Sequence, residues 1–211
     1  VKWNSSIRWS RIFHTTTQKD ILTFNLNTVL DLSNPYFHFK QFTIRHDHSA
    51  MKVGTDGVLL GAWAAQEEDS QKKMRVLDVG VGTGLISLML AQRFPYIQVT
   101  GIDIDDSSVK QAIENVEASK FKERINVLKQ DFRNIDYFFN KYDLIVSNPP
   151  FYKEKTLSGN NARDTARHNS FLPFDTLVAN AVELLESNGI FSVIIPYGET
   201  GHFISICASH Q

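Results

Sequence analysis

A short apolar run that ends in a cluster of glycines and turns at once into helical spacing constrains this chain more than any other feature. Residues 75–80 (RVLDVG) read as a buried strand, Asp78-Val79-Gly80-Val81-Gly82-Thr83-Gly84 as a tight turn, and residues 85–94 (LISLMLAQRF) as a helix. Glycine lets the backbone turn sharply and lets a ligand approach main-chain N–H groups. The alternation then continues. Residues 98–103 (QVTGID) form a second strand, 107–119 a second helix, 125–129 (INVLK) a third strand, and 143–147 (DLIVS), with Tyr142 before them, a fourth. A helix over 174–186 ends near Asn188-Gly189, a good stop signal, and residues 190–195 (IFSVII) make a fifth strand closed by Pro196. This spacing predicts a mostly parallel α/β sheet with helices on both faces. Ligands of such sheets bind beyond the carboxyl ends of the strands, where the strand order reverses. Ahead of the sheet, residues 37–45 (FHFKQFTIR) alternate partly, as a small hairpin or edge strand does. In residues 51–65 a glycine-bearing turn opens a short apolar helix.

The residues just past each strand carry the chemistry. Gly80, Gly82 and Gly84 are spaced G-x-G-x-G, which departs from the dinucleotide fingerprint, and no Gly-Lys-Ser/Thr follows, so this is not a P-loop. Asp103 ends the second strand, where a carboxylate can accept both hydroxyls of a ribose. The bland role there is a helix N-cap, for which Asp105 and Asp106 compete. Asp131 follows the third strand. It either bonds the amino group of an adenine, with Phe132 packing on the ring, or caps the next short helix. Asp78 lies within the strand end and either orients the loop or meets a charged amine. Three acids beside a glycine loop without a phosphate-binding lysine suit a positively charged nucleoside better than a pyrophosphate, which is the profile of S-adenosylmethionine.

Asn148-Pro149-Pro150-Phe151 follows the fourth strand. Consecutive prolines fix φ and remove two donors. The turn is stiff, its carbonyls find no neighbouring N–H, and the Asn148 amide adds an acceptor beside them. Such a pair suits a planar –NH₂ group, and Phe151 offers a flat face to a ring. An exocyclic amine on adenine is a poor nucleophile because its lone pair is delocalised. Two acceptors on its N–H bonds favour the pyramidal form that attacks. Aligning donor and acceptor is worth up to about 7–11 kcal/mol, and stacking on Phe151 roughly 1–3 kcal/mol. Extruding a stacked base costs a few kcal/mol.

These residues resemble class I methyltransferases that modify amino groups in Asn/Asp-Pro-Pro-aromatic sites. More narrowly, residues 51–64 (MKVGTDGVLLGAWA), the loop from Asp78 to Leu85, Ser147 to Phe151, and Arg163-Asp164-Thr165-Ala166-Arg167-His168 stand in the order of the bacterial tRNA valine adenine-37 N6-methyltransferase family. The resemblance runs from about Pro35 to Tyr197, and its first block is the specific signal. It implies a Rossmann-like fold, S-adenosylmethionine as cofactor, and methylation at N6 of the adenosine 3′ of the anticodon in a valine tRNA. By position in the family block, Lys52, Thr55 and Asp56 lie over the methionine end of the cofactor; read alone, Thr55 or Asp56 caps the helix.

Net charge is −1, so RNA affinity must come from a local cluster. The densest outside the N-terminus is Lys153, Lys155, Arg163, Arg167 and His168, which reads either as phosphate contacts or as a solvated loop. Residues 1–32 have no recognised counterpart. They are basic until Asp20 and read as an extension outside the fold, a transit peptide or an RNA-touching arm, with the domain over 33–211. The sheet is expected to lack the family's last strands, leaving an open edge after strand five. One cysteine, Cys207, excludes an intrachain disulfide and suggests a reducing compartment. No run approaches the roughly 18 apolar residues that span a bilayer, and the scattered histidines suggest no metal site. A cytoplasmic monomer acting on tRNA is expected, without membrane or metal. The competing readings are a protein glutamine N5-methyltransferase, which usually carries a sizeable N-terminal helical domain, and a non-catalytic cofactor- or RNA-binding module.

Overall fold

Strands buried on both faces need apolar side chains in almost every position, and the runs after residue 73 supply them. The structure is a computed structural model that describes residues 8–9, 13–15, 35–47, 53–135, 141–150 and 172–210. In chain order its strands are β1 (Arg8–Trp9), β2 (Phe13–Thr15), β3 (Tyr36–His38), β4 (Thr43–Arg45), β5 (Met74–Val79), β6 (Ile97–Asp103), β7 (Ile125–Lys129), β8 (Tyr142–Ser147) and β9 (Leu185–Pro196). The helices are α1 (Thr55–Trp63), α2 (Leu85–Arg93), α3 (Asp106–Glu117), α4 (Phe174–Leu184) and α5 (Thr200–Ser209).

The main strands lie in the order β9-β8-β5-β6-β7, and every pair is parallel. The chain leaves β5 first toward β6 and later crosses to β8 on its other side. The order therefore reverses at β5, the place where ligands bind in sheets of this kind. Side chains alternate between two cores. Val76, Val99, Leu144, Val146 and Ile190 meet α1 and α2 on one face. Leu77, Ile102, Ile145, Phe191 and Val193 meet α4 and α5 on the other. Two glycines bring α1 close to α2. A Cβ on Gly61 would stand 2.7 Å from Met89 Sδ, and one on Gly57 3.1 Å from Leu85 Cδ2. The first turn of α1 is thereby held beside the start of α2.

Three details differ from expectation. Helix α4 ends at Leu184, and the last strand begins at Leu185 rather than residue 190. Its register against β8 jumps between Tyr142↔Leu185 and Leu144↔Ile190, so the stop signal at Asn188-Gly189 sits in a bulge. Residues 37–45 resolve into an antiparallel hairpin in which Tyr36 pairs with Arg45 and His38 with Thr43. Finally, the edge of β9 is not bare. Arg8–Trp9 and Phe13–Thr15, from the segment expected to lie outside the fold, pair with it in parallel. Edge pairing satisfies exposed backbone groups and needs no side-chain pattern, so periodicity gives no sign of it.

Gly61→Val is expected to lower stability by roughly 1–3 kcal/mol, because the added branches enter the space of Met89. Met89→Ala in the same chain should recover part of the loss. Urea unfolding of the two variants and wild type checks this; a Gly61→Val midpoint equal to wild type would show that the two helices are not in close contact.

Candidate active site

The glycine loop takes its shape from β6 as much as from its own residues. Gly80, Gly82 and Gly84 have φ of 75°, 55° and 80°, in the left-handed region that side chains disfavour. The backbone N–H groups of Gly80 and Val81 both donate to the Ile102 carbonyl at 2.9 Å. That of Gly82 donates to Asp103 Oδ2 at 3.0 Å. Gly101 lets the loop settle on the sheet, since a Cβ there would stand 2.6 Å from Val81 Cγ2. Gly101 escaped the sequence reading, although a glycine inside a strand pattern is a signal of close backbone approach.

Asp78 is fully buried at the end of β5. Its Oδ2 accepts from Ser87 Oγ at 2.6 Å and from the Ser87 backbone N–H at 3.1 Å, which fixes the first turn of α2. Its Oδ1 has no hydrogen-bond partner among the described residues. One oxygen thus fixes the start of α2, while the other keeps its acceptor capacity open. Burial pushes the carboxyl up from 3.8 to about 6; the Ser87 hydrogen bonds oppose this and the nearby Asp103 charge adds to it. Burial likewise raises Asp103, against hydrogen bonds from the backbone of Asp105 and Gly82. The helix-capping role that competed for Asp103 belongs to Asp105, whose side chain accepts from the Ser108 N–H at 2.8 Å. A carboxylate has about four acceptor sites, so Asp103, with backbone donors at Gly82, Asp105 and Ile104, is not saturated.

Asp131 and Phe132 are placed differently. Asp131 caps the short 3₁₀ turn Phe132–Asn134 and accepts from the Arg133 backbone, the Arg133 guanidinium and the Asn134 amide. The Arg133 hydrogen bond holds its carboxyl below the usual range. An adenine amine at Asp131 requires one of these donors to yield. Phe132 is 5% exposed and packs with Leu177 and Phe203 in the core. In α1, Gly54 is the N-cap, and neither Thr55 nor Asp56 makes a capping hydrogen bond; both sit in the first turn beside α2.

Strand β8 carries the Asn-Pro-Pro turn to the neighbour of the loop. Ser147 Oγ, buried, donates to the Val79 carbonyl at 2.9 Å and locks the end of β8 to the end of β5. Beyond it, Asn148 Oδ1 is buried without a partner among the described residues. Lys52, Phe151, Lys153, Lys155, Arg163, Arg167 and His168 lie outside the described residues. Among the described residues, no group of three or more His, Cys, Asp or Glu is arranged to hold a metal ion, and no helix is long and apolar enough to cross a membrane. Burial pushes the Cys207 thiol up to about 11.

A glycine loop built for phosphate is matched by cations; this one is matched by the carboxylates of Asp78 and Asp103. That charge pattern, at the reversal point of this strand order, defines a class I methyltransferase using S-adenosylmethionine. The chain belongs to the methyltransferase small domain family, whose model matches residues 58–199, and within it to the tRNA1(Val) (adenine(37)-N6)-methyltransferases. It is 47% identical over 169 residues to the enzyme of that name from Bacteroides thetaiotaomicron, covering 78% of this chain and 68% of the relative. It is 50% identical over 167 residues to that of Phocaeicola vulgatus, again covering 78% and 68%. Among solved structures, TrmN from Thermus thermophilus superposes with a TM-score of 0.52 at 24% identity, over 73% of this chain and 40% of that one. A predicted O-methyltransferase from Agrobacterium tumefaciens gives 0.56 at 21% identity, over 74% and 68%. At these identities the likeness is one of fold.

The Asp78 shift makes a signed prediction. A carboxyl whose folded pKa is raised holds its proton more tightly when folded, so stability falls as pH rises from 3.8 through about 6 and then levels off. Between pH 3.5 and 8 the stability of Asp78→Asn relative to wild type should therefore rise by roughly 1–3 kcal/mol. Wild-type affinity for the cationic cofactor should fall as pH drops below about 6. Urea titrations and calorimetry at several pH values read both; an unchanging difference between variant and wild type would remove the buried, unpaired charge.

Proposed function

We propose that this chain transfers a methyl group from S-adenosylmethionine to N6 of an adenosine in tRNA, and that the adenosine is position 37 of a valine tRNA. The observation that carries the proposal is Asn148 Oδ1, a buried acceptor without a donor among the described residues, at the carboxyl end of β8 next to the glycine loop. A buried acceptor left unpaired costs about 1–3 kcal/mol. An amino group entering the site supplies the missing donor. The chain spans 68% and 74% of the first two relatives, whose name describes this reaction.

When bound, S-adenosylmethionine supplies a methyl group already activated on a sulfonium. The protein binds and aligns. The left-handed glycine loop lies against the nucleoside, Asp103 accepts from the ribose hydroxyls, and the free oxygen of Asp78 meets the positive end. Thr55 and Asp56, in the first turn of α1, cover the methionine portion together with Lys52. Asn148 accepts one N–H of the adenine amine and a carbonyl of the Asn-Pro-Pro turn the other. Both bonds strengthen as the nitrogen becomes pyramidal. Pro149 and Pro150 keep the acceptors fixed, so little reorganisation accompanies the step. Phe151 stacks on the extruded base, and Lys153, Lys155, Arg163, Arg167 and His168 hold phosphates beside it. No strong base is needed, because the nitrogen proton becomes acidic once the methyl has arrived. The protein acts as a cytoplasmic monomer, with its methyltransferase domain over residues 33–211 and the strands β1 and β2 added at the edge of its sheet.

Labelled cofactor incubated separately with total tRNA, DNA and protein should yield N6-methyladenosine from tRNA alone. Label in protein glutamine, or in no acceptor, would overturn the reading. Asn148→Ala should lower the single-turnover rate about 100-fold or more while cofactor affinity stays within about threefold, since a contact made in the transition state acts on turnover. A rate near wild type would show that the amide does not hold the reacting amine.

A further inference from the structure

The β3–β4 hairpin has no place in the site described so far, yet one side chain binds it to the cofactor loop. Asn115, on α3, is 2% exposed. Its Nδ2 donates to the Arg45 carbonyl at 2.8 Å and to the Thr83 carbonyl at 2.8 Å. Its Oδ1 accepts from the Arg45 backbone N–H at 2.8 Å. The carboxamide therefore pairs with both backbone groups of Arg45 as a neighbouring strand would, and spends its remaining hydrogen on the glycine loop. Two segments whose carbonyls share one nitrogen are held together; the hairpin stands against the wall of the cofactor site.

The hairpin has two unlike faces, as strict alternation requires. Phe42 and Ile44 are buried, Phe39 stacks on Phe42, and the half-buried Phe37 tilts against Phe39. The outer face carries Tyr36, 42% exposed, with His38, Thr43 and Arg45, and Lys40 is exposed at the turn. The Tyr36 and His38 rings lie 4.9 Å apart, and Tyr36 stands opposite Arg45 in the ladder. His38 Nδ1 meets Thr43 Oγ1 at 2.9 Å. The acid nearest in contact is Asp47, 3.4 Å from Arg45 Nη2 in an exposed pair that solvent screens. Two aromatic rings and two cations on one small rigid face suit a ligand with flat bases and a repeating negative charge. In a chain of net charge −1, attraction for such a ligand has to be local.

We propose that the outer face of this hairpin is an RNA-contacting surface, separate from the basic segment after the Asn-Pro-Pro turn. Arg45 and Lys40 meet backbone phosphates, and Tyr36 stacks on an exposed base of the strand that delivers the target adenosine. Asn115 sets the distance between this surface and the cofactor loop, so RNA held here is in register with the methyl donor. The proposal rests on the tRNA reading above and identifies a surface that places the substrate.

The test is a filter-binding salt titration of the full chain with tRNA, alongside methyl transfer. Wild type must first methylate tRNA; if it transfers nothing to tRNA, the reading beneath this surface falls and the surface falls with it. Given that activity, the double variant Lys40→Gln, Arg45→Gln should flatten the slope of log affinity against log salt by about one to two, one for each lost phosphate contact. Tyr36→Ala should weaken binding roughly five- to hundredfold at every salt concentration without changing the slope, and Tyr36→Phe should restore it. All of these side chains are exposed, so the thermal midpoint and S-adenosylhomocysteine affinity should stay at wild type. If tRNA methylation is intact while the charge variant keeps the wild-type slope and Tyr36→Ala keeps wild-type affinity, the face is solvated and the proposal is overturned.

Discussion

The short stretch in which β6 receives the glycine loop carries the rest of the site. Three successive features of one strand do it: Gly101 leaves room for Val81, the Ile102 carbonyl takes two loop N–H groups, and the Asp103 carboxylate takes a third. Each bond is modest, about 1 kcal/mol net. Together they hold three glycines in left-handed conformations that an unrestrained chain would leave. Once the loop is fixed, α2 begins at a defined point, and the packing of α1 through Gly57 and Gly61 follows from it. The same loop offers its Thr83 carbonyl to Asn115, and so sets where the hairpin docks.

The site also holds two unmet demands for donors, and both sit where chemistry is needed. Among the described residues, Asp78 keeps one buried oxygen without a partner, and so does Asn148, at the ends of neighbouring strands. Interiors normally leave few such atoms. Filling either with a protein donor would stabilise the empty fold and close the site to a ligand. The adjoining atoms show that donors are within reach: Ser87 serves the other oxygen of Asp78, and Ser147 serves Val79 one residue before Asn148. The fold commits these hydrogen bonds to rigidity and leaves the two neighbouring acceptors open. That is the preorganisation expected of a site that aligns two partners rather than one that carries a strong acid or base.

Much of this was legible in the chain itself. Apolar runs alternating with helical spacing determined the five parallel strands, because a doubly covered sheet tolerates few polar positions. The three glycines, Asp103 and the Asn-Pro-Pro turn declared themselves by lying just past strand ends, where backbone geometry places ligands. What tertiary structure decided are matters of competition for shared groups. Asp103 and Asp105 were both candidates to cap α3, and only their positions gave the cap to Asp105 and left Asp103 unsaturated. Of the two roles open to Asp131, the fold shows the cap of Phe132–Asn134, with Arg133 and Asn134 donating to its oxygens, and Phe132 packs among core residues. Pairings such as Asn115 with Arg45 and Thr83 join residues 70 and 32 positions apart. No local pattern records them. Periodicity registers which face of an element is apolar, whereas the partner of a polar group depends on which distant backbone atom the fold brings within 3 Å of it.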